Sequence, residues 1–268
     1  NTSGALMVGM ALVCAGATLA ASFQASTADE IDKSLKADLV VQPATIGSLT
    51  TRLSADKAKD IAAIDGVKET SSYTLYVNAV TKPDGSQNPA ATSLVIDPAT
   101  YSRGYDIRVT SGSLSDLDAT HVAVNKDENL KMGDKVTLTG PNGSVEATVG
   151  AIVDPKGIGG TYFYSPKVAA AVGSWTSPGT STDPDHVLDA PLGMLLTLED
   201  GANLDTVRHK AEDIVADTYQ YSVNDANQLS DKVGQRINQM LAVLYGLLGL
   251  SIVIAILGIV NTLVLSVS

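Results

Sequence analysis

The 268-residue chain carries 18 basic against 29 acidic side chains, a net charge of −11, with 44% hydrophobic residues and one cysteine, Cys14. That acidic balance argues against nucleic acid or an anionic lipid surface as the partner of the charged part. A single cysteine excludes an intrachain disulfide, so the fold must be stable by packing alone.

Charge is segregated along the chain: no Asp, Glu, Lys or Arg precedes Asp29 and none follows Arg236. A charge-free opening, an acidic middle and a charge-free close read as a membrane protein with one large water-facing domain. The opening run, Ala5 to Ala25, is long enough to cross a hydrocarbon core of about 30 Å as a helix. A signal peptide is the competing reading, and neither an initiating Met nor a basic segment precedes the run to support it. Starting at Asn1 and stopping within an apolar stretch at Ser268, the chain reads as a piece of a longer protein. Both ends would lie on one side of the membrane, with the basic residues that fix the cytoplasmic side beyond them. Cys14 falls in this first run, as a buried apolar thiol.

From Ala28 to Leu35 the chain is expected to continue helically, with Ile31 and Leu35 on one face, as a stalk. Asp38–Gln42 reads as a strand. Ser54 is placed as the N-cap of a helix over Ala55–Ile64 that Asp65-Gly66 ends. Val67–Thr81 alternates as a long strand, Lys82–Pro89 is a turn-rich loop, and Ser93–Ile96 is a further strand.

The next block is richer in strands. His121–Asn125 is a strand and Lys126–Lys131 a short helix, with Gly133 placed for a left-handed cap. Val136–Thr139 and Val145–Val149 flank Gly140-Pro141-Asn142-Gly143, whose Asn-Gly is a hairpin signal. That hairpin also accounts for the glycosylation sequon Asn142-Gly143-Ser144. Tyr162–Tyr164 reads as a strand and Pro166–Val172 as a helix. Gly173–Pro191 is a polar loop holding the single Trp175. After it come a strand (Gly193–Leu198), a helix (Leu204–Ala216) and a strand (Gln220–Val223). An α/β unit that opens before Ile96 and resumes after Leu192 implies that the block between is an insertion.

Catalytic patterns do not emerge. No Gly-x-x-x-x-Gly-Lys-Ser/Thr phosphate loop is present, and no Gly-x-Ser-x-Gly nucleophile elbow. His121, His186 and His209 lack metal spacing. Asp183-Pro184-Asp185-His186 lacks the remaining ligands of a calcium loop and reads as solvated. Lys156-Gly157-Ile158-Gly159-Gly160 reads as a flexible turn. The chain is therefore not expected to be an enzyme, and no residue is assigned to catalysis, a cofactor or a metal.

The closing residues, Gln228 to Ser268, organise the rest. A polar segment through Arg236 passes without a breaker into the uncharged run Met240–Val260. One helix of about 60 Å, at 1.5 Å per residue, would stand partly outside the membrane and partly within it. Gly246, Gly249 and Gly258 place small residues in this helix, where they would let another helix approach closely. Asn261 adds an amide that is costly against lipid and turns toward another helix. These four are the candidate helix-packing residues.

Leu130-Lys131-Met132-Gly133-Asp134-Lys135-Val136-Thr137-Leu138, followed by Val149-Gly150-Ala151-Ile152-Val153-Asp154, resembles the ectodomain of ABC-transporter permeases of the macrolide-exporter (MacB) type. Leu244-Tyr245-Gly246-Leu247-Leu248-Gly249-Leu250 and Leu257-Gly258-Ile259-Val260-Asn261-Thr262-Leu263 resemble the start of the family's FtsX-like membrane domain. The resemblance covers essentially the whole chain. It implies an α+β membrane protein in which two transmembrane helices flank a porter-like α/β subdomain carrying an inserted β-rich subdomain. The boundaries expected are a first transmembrane helix over 1–28, a stalk helix over 29–37, the porter-like subdomain over 38–110 and 192–228, the insertion over 111–191, a second stalk helix over 229–239 and a second transmembrane helix over 240–268.

The implied function is a permease that couples ATP hydrolysis by a cytoplasmic ATPase partner to extracytoplasmic movement, in export or in mechanotransmission. ATP would bind that partner, not this chain. A second permease copy or duplicated half, the lipid bilayer and an extracytoplasmic protein complete the implied partners, and the location is the cell membrane. The alternative from another class is the extracytoplasmic sensor domain of a membrane-bound receptor.

Overall fold

A computed structural model describes residues 33–45, 48–155, 160–177 and 180–267, together with Gly16, Thr18 and Ser22. The rest of the first apolar run, Asp29–Asp32 of the expected stalk and the turn Lys156–Gly159 lie outside the described residues. The chain divides into two compact units, Lys33–Ala226 on the one hand, and Asn1–Asp32 with Asn227–Ser268 on the other.

The unit Lys33–Ala226 is built on a ten-stranded sheet. In chain order its elements are β1 (Leu39–Pro43), α1 (Ala55–Ala62), β2 (Val67–Thr81), β3 (Gln87–Ile96), α2 (Pro98–Gly104), β4 (Arg108–Gly112), β5 (His121–Asn125), β6 (Lys135–Gly140), β7 (Gly143–Asp154), β8 (Tyr162–Tyr164), α3 (Pro166–Val172), β9 (Gly193–Leu198), α4 (Leu204–Val215) and β10 (Tyr221–Asn224). Across the sheet the order is β10-β1-β9-β2-β3-β8-β5-β7-β4, with β6 joined to both β2 and β7. The pairs β3–β8 and β5–β7 are parallel. The ladder crosses the boundary read between residues 110 and 111, because β3 pairs with β8 and β2 with β6.

Successive residues of a strand point to opposite faces, and the cores follow that rule. Val40, Leu94, Ile96, Ala123, Phe163 and Leu195 bury on one face with Tyr101 and Tyr105 of the α2 region. On the other face, Leu39, Val41, Met194 and Leu196 pack with Ile61 of α1 and Val207 and Ala211 of α4. Tyr76, Val95, Val122, Val124, Tyr162 and Tyr164 pack with Val168 and Val172 of α3. Their strands share the first face's cluster through the intervening residues, so the last two clusters lie on the same side of the sheet.

The structure alters several readings. The expected stalk helix does not reach residue 37: helix is present at Lys33–Ser34, while Leu35 makes a β-bridge to Tyr105 and the Lys36 and Ala37 amides donate to Gly104 O. Leu35 packs against the α2-side cluster, and that burial draws the backbone out of the helix. The short helix over Lys126–Lys131 shrinks to a 3₁₀ turn, Lys126–Glu128, ended by Asn129 at φ 56°. Gly133, at φ 85°, turns the chain so that its N–H reaches Val149 O. β3 starts at Gln87 because Pro89 falls at a bulge, between the pairs Asn78↔Ala91 and Val80↔Asn88, where its missing N–H costs no ladder bond. In the β6–β7 hairpin Gly140 faces Gly143, so Pro141 and Asn142 form the tip. Asn142 Nδ2 donates to Ala170 O at 3.0 Å and its N–H to Val172 O at 3.0 Å; the sequon asparagine thus serves the last carbonyls of α3.

In the other unit, the described helix α5 runs unbroken over Ala226–Val267, 42 residues. Among the described residues no helix is long and apolar enough to cross a membrane; the case for a span within α5 rests on its sequence, uncharged after Arg236.

Candidate functional site

Of the four candidate helix-packing residues, Gly246 and Gly249 are exposed on α5, and a Cβ built on either meets nothing within 4 Å among the described residues. Gly258 and Asn261 lie within the helical span, and their side chains lie outside the described residues. At about 100° per residue, Gly246 and Gly249 are roughly 60° apart around the helix, whereas Gly249 and Gly258 fall on opposite sides. Gly246 and Gly249 alone therefore form one smooth strip. Val243, Leu247, Leu250, Val253, Ile254, Ile256, Leu257 and Val260 are exposed along the same helix.

In the Lys33–Ala226 unit the pairs Asp118–His121 and His186–Asp189 sit at turns, whereas His209 lies within α4. Asp118 Oδ1 accepts from the Thr120 N–H at 2.7 Å, the Thr120 hydroxyl at 2.9 Å and the His121 N–H at 2.8 Å, with His121 Nδ1 at 3.0 Å. The Thr120 backbone donor, with these others, holds the Asp118 carboxyl well below the usual carboxylate range. His186 Nδ1 lies 2.8 Å from Asp189, which raises its pKa, and Asp183 caps the Asp185 N–H. His209 Nδ1 pairs with Asp205 O. No group of three or more His, Cys, Asp or Glu able to hold a metal occurs among the described residues.

Two polar arrangements escaped the sequence reading. The first is internal. Asn78, fully buried, donates to Gly173 O at 2.5 Å and accepts from the Tyr164 hydroxyl at 2.5 Å. It fixes β2, β8 and the segment after α3 to one another. Ser174 Oγ accepts from Val77 N–H at 3.0 Å, and Trp175 N–H donates to Val77 O at 3.0 Å, so this segment runs along β2.

The second is Arg52, half-buried just before α1. Nη1 donates to Leu49 O and Thr51 O at 2.9 Å each, and Nη2 to Leu75 O at 2.8 Å and Ser177 Oγ at 2.7 Å. Burial lowers its pKa, opposed by the hydroxyl groups of Tyr221 and Tyr76 within electrostatic reach. Tyr76 belongs to the α3-side cluster and Tyr221 to the α1/α4-side cluster, so the guanidinium marks their junction. No pattern in the sequence distinguishes Arg52, a lone cation between Thr51 and Leu53.

The profile of one protein family, described as the MacB-like periplasmic core domain, matches residues 2–214. Among solved structures, the periplasmic region of MacB from Actinobacillus actinomycetemcomitans is similar with a TM-score of 0.54 at 9% identity, covering 78% of this chain and 97% of that one. The extracellular domain of the noncanonic ABC-type transporter YknZ from Gram-positive bacteria matches with a TM-score of 0.46 at 13% identity, over 70% of this chain and 99% of that one. No curated protein matches the sequence. The first likeness shows that the fold is shared.

Proposed function

This chain belongs to the MacB-like periplasmic core domain family, and from that premise we propose that it is a permease subunit driven by a separate cytoplasmic ATPase. The observation that carries the reading is the family match across residues 2–214, joined to a helix that runs from Ala226 to Val267 and loses all charge after Arg236. In this reading the two apolar runs span the cell membrane and the Lys33–Ala226 unit stands outside. ATP binds a separate ATPase subunit or domain, as these 268 residues hold no phosphate loop. Closure of the ATPase dimer moves the spans, and the helical segments next to the membrane carry the motion outward, for export or to act on an extracytoplasmic protein. A second permease copy or duplicated half completes the moving pair.

Reconstitution tests this. The purified chain in nanodiscs hydrolyses no ATP, and hydrolysis appears when the ATPase that co-purifies with it from its native membrane is added. Hydrolysis by the chain alone, or the absence of any ATPase from the purified native assembly, would overturn the reading.

A further inference from the structure

We propose that Asn142-Gly143, at the tip of the β6–β7 hairpin, is a latent deamidation site that the fold keeps closed and that opens when the tip lifts from α3. Asn142 is the only asparagine in the chain followed by glycine. In that dipeptide no side chain on the second residue hinders ring closure. The Gly143 nitrogen, its proton taken by solvent base, attacks Asn142 Cγ. The new N–C bond closes a five-membered succinimide as the Cγ–Nδ2 bond breaks, and Nδ2 leaves as ammonia. Water then opens the ring at either carbonyl, giving aspartate or isoaspartate. One water is consumed and one ammonia released, with no other reactant.

Docking, not burial, controls this step. Asn142 and Gly143 are both exposed, so water and base reach them. The leaving group is nevertheless engaged: Nδ2 donates to Ala170 O at 3.0 Å, while the Asn142 N–H donates to Val172 O at 3.0 Å. The carboxamide lies so close to Gly173 that a Cβ there would meet its Cγ, Oδ1 and Nδ2 at 2.8, 2.9 and 3.0 Å. Gly143 stands opposite Gly140 in the ladder, and a Cβ on Gly140 would run into Val172 O. Ring closure needs Cγ and the Gly143 nitrogen to join, and the docked tip holds both groups in place.

The product cannot return to this seat. An ionised aspartate in place of Asn142 only accepts hydrogen bonds. Its carboxylate would face Ala170 O with no donor between them, and that carbonyl would lose its partner. Isoaspartate adds a methylene to the main chain and shifts Gly143 out of register with Gly140. Deamidation thus converts an opening of the tip into a permanent one. The inference does not depend on the permease reading.

The full chain in neutral detergent is held in warm, mildly alkaline buffer and sampled by trypsin digestion and mass spectrometry. The tryptic peptide Val136–Lys156 holds no other asparagine, so its change in mass from amide to acid counts Asn142 alone. Conversion in the folded wild type is expected to be about tenfold or more slower than in the same chain unfolded in guanidinium chloride, because local opening must come first. Gly140→Ala and Gly173→Ala, which crowd the seat, should each raise the folded rate by about tenfold. Gly85→Ala, in the β2–β3 turn with nothing within 4 Å, should leave it unchanged. Asn142→Asp, which stands for the product, should melt below wild type. Equal rates in folded and unfolded wild type would overturn the proposal, and that comparison needs no variant. So would no conversion in the unfolded chain, rates unmoved in folded Gly140→Ala and Gly173→Ala, or an Asn142→Asp variant that melts as wild type does.

Discussion

Tyr164 and Asn78 carry more of the fold than their number suggests, because each satisfies the other where no water competes. Tyr164→Phe keeps the ring and its packing but leaves Asn78 Oδ1 without its donor. We expect a loss of about 1–3 kcal/mol in urea unfolding; a change under about 0.5 kcal/mol would show that the pair is not coupled as described. Asp118 is the exposed counterpart. Its folded pKa is depressed, so its contribution is complete above the unfolded carboxylate value, about pH 4, and is lost as the pH falls through the lower folded value. Asp118→Asn should cost about 0.5–1 kcal/mol at neutral pH, the solvent-screened worth of its hydrogen bonds. The gap to wild type should close below pH 4, and a gap that widened on acidification would refute the assignment. Ser54 was legible as a cap because its chemistry is local: its hydroxyl accepts from Lys57 N–H. Asn78, Tyr164 and Arg52 were not, since each meets partners tens of residues away in the chain.

Among elements, the β6–β7 hairpin depends on the close approach of Gly140 to the end of α3. A Cβ there would lie 2.3 Å from Val172 O, and backbone cannot yield as a side chain can. Gly140→Ala should therefore cost about 2–4 kcal/mol. Gly85, at φ 81° with nothing within 4 Å, should cost only about 1 kcal/mol on the same change. Equal losses in thermal melts would count against the hairpin's docking. In α5, Gly249→Leu places a bulky side chain where the described residues leave room, beside Gly246. Under the proposed function the variant inserts and the assembled complex still hydrolyses ATP, but transport or signalling output falls; full output would sink the moving-strip idea. Helices with local signals were readable, including α3 over Pro166–Val172 as expected. α2 carried a signal that went unread, Asp97 accepting from Ala99 N–H with Pro98 at the first position. β4 carried none: all five of its residues are exposed, so no alternation marks it. Its bulge near Thr110 and the charge of Arg108 blunt it as a free edge.

For the whole Lys33–Ala226 unit, the readable layer was patterning, and the unreadable layer was pairing. Alternation located nearly every strand, but no local feature foretold that β3 would pair with β8 or β2 with β6, because register is settled by which faces bury together. Shared strands link the three clusters, so the unit should unfold as one. Loss of far-ultraviolet circular dichroism and the change in Trp175 fluorescence are expected to coincide along a urea gradient. Two separated transitions would show that the block around α3 is stable by itself.

The chain enters this sheet on β1 and leaves it on β10, and these neighbours are antiparallel, with Val40 opposite Asn224 and Pro43 opposite Tyr221. Entry and exit thus share one end of a short ladder, like the two tabs of a zip fastener. Tethers pulled apart at that end would load its hydrogen bonds one after another, the weakest way to strain a sheet. Tethers displaced together would load none of them and would swing the whole sheet as a lever. Under the membrane-driven stroke proposed above, tilting would leave this hem intact and stretching would unpick it.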